Sequence, residues 1–299
     1  MSAEIILSQV FNGLSLSSIL LLIGLGLSIT FGIMGVINFA HGEFLMIGAY
    51  TAYILQKVFV GQDGGTYFLF SLPLAFLVAG GIGFLLEKSL IRFLYGRPYE
   101  SILATWGLSL ILQQMARNIF GANNVEVTAP EWLRGGITLM EGLRLPYNRL
   151  FIMAIALLSV AGMYIYLYRS TGGRRMRAVM QNRDMSACMG IKTRSVDSLT
   201  FSIGCGLAGI AGSAVSLLGS IGPSTGQNYI IDAFMVVVLG GVGNLAGTIA
   251  GAVMIGIASP LFEFITTSSM GKVIVFALVI VFLQWKPSGL FALKTRSLD

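Results

Sequence analysis

The feature that most constrains this chain is the stretch 10–33, which contains no charged residue at all. A helix needs about 20 apolar residues to cross the hydrocarbon core of a bilayer, so this run has the length of one crossing. Further apolar stretches follow at 44–59, 67–86, 101–120, 149–168, 198–220, 229–239, 245–264 and about 268–285. Lipid offers no partner to a bare peptide group, so runs of this kind fold as helices. Composition agrees: 11% of the residues are charged and 55% hydrophobic, whereas soluble domains carry about a quarter charged residues. The chain therefore reads as an all-α polytopic membrane protein. Its apolar stretches predict about 8–10 transmembrane helices with glycine-broken segments, forming one transmembrane domain over 1–299.

Basic residues orient it. With nine segments and the N-terminus outside, the cytosolic set is Lys88, Arg92, Arg97, the basic residues between Arg169 and Arg194, Lys286, Lys294 and Arg296. The outer set is the smaller one: Lys57, Arg117, Arg134, Arg144, Arg149 and Lys272. This asymmetry follows the positive-inside rule and predicts a cytosolic C-terminus. The N-terminus lacks the basic start of a secretory signal, so its first apolar run is expected to stay as a membrane helix. The two cysteines, Cys188 and Cys205, have neither metal-ligand nor paired-motif spacing, so no disulfide is expected.

The main surface offered to the cytosol is the basic loop at about 169–195. Asp184 is expected to cap a short helix there and Gly190 to end it in a left-handed turn. Met176, Met180, Ala187 and Ile191 recur at roughly helical spacing and predict an apolar stripe. On its own the loop reads two ways: a docking knob for a soluble partner, or an ordinary positive-inside loop that only sets topology.

Small residues mark where helices meet. Gly204, Ala208, Gly212, Ser216 and Ser220 recur every fourth position, and Gly247 and Gly251 repeat that spacing. Two glycine-broken regions, around 38–42 and 240–247, stand near opposite ends of the chain, the arrangement that points to a transporter's central site. Asn38 and His41 either face a polar pathway or satisfy backbone groups freed by the break. Glu43 is expected at the cytosolic mouth. Arg117, one turn from Gln113, is expected to anchor at the interface, and Asp232 and Glu263 to be solvated near outer helix ends. No carboxylate is expected in mid-membrane, which counts against proton coupling. The sequence contains no glycine-rich loop followed by Lys-Ser or Lys-Thr and no His-Glu-x-x-His. No catalytic residue, metal site or cofactor is expected, and energy for transport would come from partners.

Three stretches together resemble the permease subunits of ABC importers for branched-chain amino acids and their relatives. They are Gly35-Val-Ile-Asn-Phe-Ala-His-Gly-Glu-Phe-Leu-Met-Ile-Gly-Ala-Tyr50, Asn182-Arg-Asp-Met-Ser-Ala-Cys-Met-Gly-Ile191 and Val238-Leu-Gly-Gly-Val-Gly-Asn-Leu-Ala-Gly-Thr248. Gly96-Arg-Pro-Tyr-Glu-Ser-Ile-Leu-Ala-Thr-Trp-Gly107 and Gly226-Gln-Asn-Tyr-Ile-Ile-Asp-Ala-Phe-Met-Val-Val-Val238 are most similar to the urea-transporting branch. The resemblance implies a bacterial inner-membrane permease for urea or short amides, with branched-chain amino acids as the alternative cargo. It implies a second homologous permease, two cytosolic ATP-binding subunits and an extracytoplasmic solute-binding protein. Arg183, Asp184, Met185, Ala187, Met189 and Gly190 then become the coupling helix. Asn38, His41, Thr105, Gln113 and Asn244 become candidates for the path lining. A stand-alone solute channel is the reading from another class.

Overall fold

The structure, a computed structural model, describes residues 3–59, 65–140 and 143–291. Among these, nine helices have 16 or more residues: α1 (Ala3–Met34), α2 (His41–Val58), α3 (Tyr67–Ser89), α4 (Pro98–Phe120), α5 (Tyr147–Arg169), α8 (Thr193–Val215), α9 (Thr225–Gly240), α10 (Leu245–Ile265) and α11 (Ser268–Trp285). Two shorter ones, α6 (Thr171–Gln181) and α7 (Arg183–Cys188), fall in the basic loop. The nine long helices answer the nine apolar stretches. Six of them, α1, α3, α5, α8, α10 and α11, are long and apolar enough to cross a membrane. By contrast, α2 carries His41, Glu43 and Lys57, α4 carries Gln113, Gln114 and Arg117, and α9 has only 16 residues.

α1 is apolar on every side, and a helix of that kind belongs in the interior. Leu20, Leu22, Ile23, Leu25 and Leu27 are all fully buried, with α5, α8, α9 and α10 around them. α8 crosses it at glycine. A Cβ on Gly26 would stand 2.3 Å from the Gly204 carbonyl oxygen. The same face of α8 meets α2, where a Cβ on Gly212 would lie 1.8 Å from the Leu45 oxygen. Ala208 between them is fully buried. Gly247 and Gly251 of α10 press on α9, at the Gly240 and Val236 carbonyls. With no hydrophobic drive between helices in lipid, such backbone-to-backbone contact is the main source of packing attraction. The outward faces are bare hydrocarbon: Leu77 on α3 and Leu158 on α5 are 66% and 72% exposed.

Several boundaries differ from expectation. α8 runs 193–215 rather than 198–220, so Ser216 follows its end and Ser220 lies in the loop beyond. The long loop before α5 contains a hairpin, β1 (Gly136–Met140) against β2 (Leu143–Pro146), pairing Gly136 with Pro146 and Ile137 with Leu145. Alternating strand character was masked there by mixed charge. Val125 and Ile221 exchange 2.8 Å backbone hydrogen bonds, which tie this loop to the α8–α9 connection. Most of the turn expected at 61–66, together with Lys294 and Arg296, lies outside the described residues.

Candidate translocation site and coupling loop

Between α1 and α2 the chain is non-helical for residues 35–40. Gly35 leaves α1 at φ +61°, a left-handed conformation open to glycine. Asn38 then builds the turn into α2: its Oδ1 accepts from the Ala40 N–H at 3.0 Å, and its carbonyl accepts from the His41 N–H at 3.2 Å. α4 supports the break from outside. Thr105 Oγ1 accepts from the Phe39 N–H at 3.2 Å and donates to the Ser101 carbonyl at 2.7 Å.

One turn further, Glu43 Oε1 accepts from Ser109 Oγ and from Gln113 Nε2, both at 2.8 Å. Glu43 is 1% exposed, which corrects its expected place at a mouth and puts a carboxyl inside the bundle. α2 begins at His41, so Glu43 falls within its first turn and faces α4 instead of ending the break. Asn38 Nδ2 and Glu43 Oε2 are buried without a hydrogen-bond partner among the described residues, and the buried His41 ring has no well-aligned partner beyond a loose approach to the Ile23 backbone. An unsatisfied buried polar atom costs roughly 1–3 kcal/mol. A set of them in six residues marks a place where water, solute or a second conformation supplies the partners.

The structure thus brings Asn38, His41, Thr105 and Gln113 to one stretch of the bundle. Asn244 stands apart: it caps α10, accepting from the Gly247 N–H at 3.2 Å, and its amide reaches the Phe291 carbonyl at 3.4 Å. Arg117 is exposed and donates to Gln114 at 3.4 Å.

In the basic loop, α7 is capped by Asn182, whose Oδ1 accepts from the Met185 N–H at 2.9 Å. Asp184, expected in that role, lies in the first turn, where its charge still favours the helix N-terminus. Gly190, at φ +80°, ends the helix: its N–H reaches the Ala187 carbonyl and the Ile191 N–H reaches that of Ser186. This pair of bonds is a Schellman stop. Extended backbone at Asn182 breaks the expected apolar stripe. Met176 faces the core at 1% exposure, while Ala187 is turned out. The exposed apolar groups are instead Met185 and Met189, at 58% and 76%, with Asp184 and Cys188 beside them.

Arg183 is turned inward. Its Nη1 donates to Asp197 Oδ1 at 3.2 Å and its Nη2 to Oδ2, and Asp197 is fully buried. The guanidinium also stacks 5.3 Å over the Tyr95 ring. Tyr95 donates to Glu87 Oε1 at 2.9 Å, and Ser198 donates to the other Glu87 oxygen. Burial, helped by the Glu87 and Asp197 carboxylates, keeps the Tyr95 phenol protonated well above the usual tyrosine range. α7 is therefore bolted through Arg183 to α8, to α3 and to the segment after α3. Sequence spacing did not single out Glu87, Tyr95, Asp197 or Ser198; their only signal was acidic residues placed just inside apolar runs.

An all-helical bundle with bare outer faces, a broken helix over buried polar groups and a capped exposed knob defines a multi-pass membrane transport protein. Residues 9–283 match the family described as branched-chain amino acid transport system / permease component, and the chain belongs to it. The high-affinity branched-chain amino acid transport system permease protein BraD of Pseudomonas aeruginosa is 30% identical over 95% of each chain. The corresponding protein LivH of Escherichia coli is 30% identical over 95% of this chain and 94% of its own. LivM of Escherichia coli, a permease protein of the system with the same printed name, is 26% identical over 95% of this chain and 70% of its own. No solved structure matches. None of these relatives carries a urea name, so the urea branch expected from local segments finds no support. With six candidate spans among the described residues and this family, the chain is a multi-pass protein of the bacterial cytoplasmic membrane.

Proposed function

We propose that this chain is a permease subunit of an ATP-driven importer for branched-chain amino acids. The observation that carries the cargo reading is likeness across nearly the whole length to permeases named for these amino acids. In the proposed assembly a second permease completes the path. That two different permease proteins sharing one system name in Escherichia coli both match this chain supports such a pairing. Two cytosolic ATP-binding subunits supply the energy and an extracytoplasmic binding protein delivers the solute.

In this reading α7 is the coupling helix. Met185, Ala187 and Met189 contact an ATP-binding subunit with Asp184 at the edge, Gly190 shapes the stop, and Arg183 holds the helix to the bundle. Methionine suits such a surface because its flexible thioether moulds to a partner groove. The N-terminus is outside and the C-terminus cytosolic, a reading supported by the excess of basic residues on the proposed cytosolic side. Asn38, His41, Thr105 and Gln113 line the path. ATP binding then shifts the bundle between two states through α7, because the partner holds α7 differently in each.

Labelled leucine and labelled urea, offered to cells carrying the complete transporter, decide the cargo. Leucine uptake that excess valine abolishes and urea leaves unchanged is the expected result. Accumulation of urea without leucine overturns it. Passive flux through proteoliposomes holding this chain alone would make it a channel instead.

A further inference from the structure

At the end of the bundle opposite α7 lies an arrangement that neither the coupling helix nor the broken-helix patch uses. There the first turns of α5, the N-terminal half of α1 and the end of α10 enclose a cleft of about 470 Å³. Tyr147–Arg169 of α5 then runs 23 residues from this cleft to the basic loop, about 34 Å at the rise of an α-helix.

Arg149 of α5 and Glu263 of α10 both line the cleft, and each is half-buried. Among the described residues, the Arg149 guanidinium donates only to a neutral amide oxygen, that of Asn12. Among the described residues, neither charge has an oppositely charged partner within ion-pair distance. Gly271 of α11 leaves the room that the Glu263 side chain fills. The remaining wall is mixed: Leu16 and Ile19 from α1 and Phe264 from α10 give it an apolar part, beside the polar Gln9, Asn12 and Ser15. Two opposite charges are thus drawn partly out of water across one cleft without meeting, an arrangement that costs solvation and gains little attraction. An adjoining cleft shares Glu263 but holds the Asp232–Lys272 pair at 3.9 Å, which already compensates itself.

We propose that the Arg149–Glu263 cleft receives a zwitterionic α-amino acid with an aliphatic side chain. The guanidinium takes the carboxylate, for which its paired N–H groups are shaped. Glu263 takes the ammonium group, and the side chain lies on Leu16, Ile19 and Phe264. The volume is within the usual range of small-molecule sites. This assignment rests on the amino-acid importer reading and deepens it, since urea carries neither charge.

The test is equilibrium binding of labelled leucine to the purified membrane complex, this chain with its partner permease and ATP-binding subunits, without the soluble binding protein. Leucinamide, which lacks the carboxylate, and 4-methylpentanoate, which lacks the ammonium group, serve as competitors. R149Q is expected to weaken leucine about ten-fold, the scale of one charge-assisted hydrogen bond, while leaving competition by leucinamide unchanged. E263Q is expected to weaken leucine equally and leave 4-methylpentanoate unchanged. Leucine binding unaltered in both variants, in complexes that retain ATPase activity, overturns the cleft. So does absence of leucine binding by the unaltered complex. Should R149Q fail to assemble, Arg149→Lys keeps the charge and is judged by the same leucine and leucinamide readings. If the unaltered transporter accumulates urea and not leucine, the importer reading itself fails. If leucine uptake is normal in both variants, only the cleft assignment falls.

Discussion

Glu43 and Gln113, 70 residues apart in sequence, are joined by a 2.8 Å hydrogen bond from the Gln113 amide to a carboxyl oxygen inside the bundle. Ser109 donates to the same oxygen, so α4 is held to the first turn of α2 by polar contacts. Phe120 adds a stacked contact with Tyr50 of α2 at 4.1 Å, while α4 presents Leu103, Trp106 and Ile119 outward.

Glu43→Ala should therefore loosen α4. Loss of the acceptor strands two buried donors at roughly 1–3 kcal/mol each, which a thermal melt of the detergent-purified protein reads directly. Glu43→Gln retains an oxygen in place and should melt close to the unaltered protein. Equal melting of the Ala variant would remove the bridge from any account of stability.

Gly190 is constrained by its backbone, not by crowding: a Cβ there would meet nothing within 4 Å. At φ +80° an alanine costs about 1 kcal/mol and asparagine less. Gly190→Val should thus fray α7 and lower leucine-coupled ATP hydrolysis more than Gly190→Asn does. Identical hydrolysis in the two would separate the turn from coupling.

Asp197→Ala removes the buried partner of Arg183. Breaking a buried pair costs about 3–5 kcal/mol, and the low end applies because the Arg183 side chain is 36% exposed. Limited proteolysis should then cut the α6–α7 loop faster while the membrane helices resist. A cleavage rate like that of the unaltered chain would show that α7 is held elsewhere.

Gly26→Ala and Gly81→Ala should behave oppositely. The first drives a methyl to 2.3 Å from the Gly204 oxygen and parts α1 from α8, while the second meets nothing within 4 Å. Overpacking costs about 1–3 kcal/mol, whereas the exposed helix position is neutral or gains helix propensity. Yield and melting temperature of the two purified variants check this.

Cys188 is exposed and Cys205 fully buried, so the chain reports its own orientation. A membrane-impermeant maleimide should label one cysteine in inside-out vesicles and none in sealed right-side-out ones. Added ATP-binding subunits should shield it. Labelling from the outer face would invert the proposed topology.

Much of the helical layout was legible in the sequence, because lipid leaves the backbone one solution and an uncharged run such as 10–33 announces it. Glycine at 204, 212, 247 and 251 marked helix contacts for a similar reason: only a missing side chain lets two backbones touch. The stop at Gly190 was legible too, since a left-handed turn selects glycine locally. Cargo was not, because no local backbone chemistry in a short segment such as 96–107 selects one solute over another.

What the sequence by itself determined, then, is the set of membrane helices, their close-packing points and the end of α7, all governed by local backbone chemistry or by the solvent. Only the tertiary structure decided that Glu43 is buried against α4, that Arg183 is spent on Asp197 and Tyr95, and that Arg149 and Glu263 line one cleft without meeting. Those outcomes join residues 14 to more than 100 positions apart, and the free energy of a charge depends on what the fold sets beside it, which no local pattern encodes.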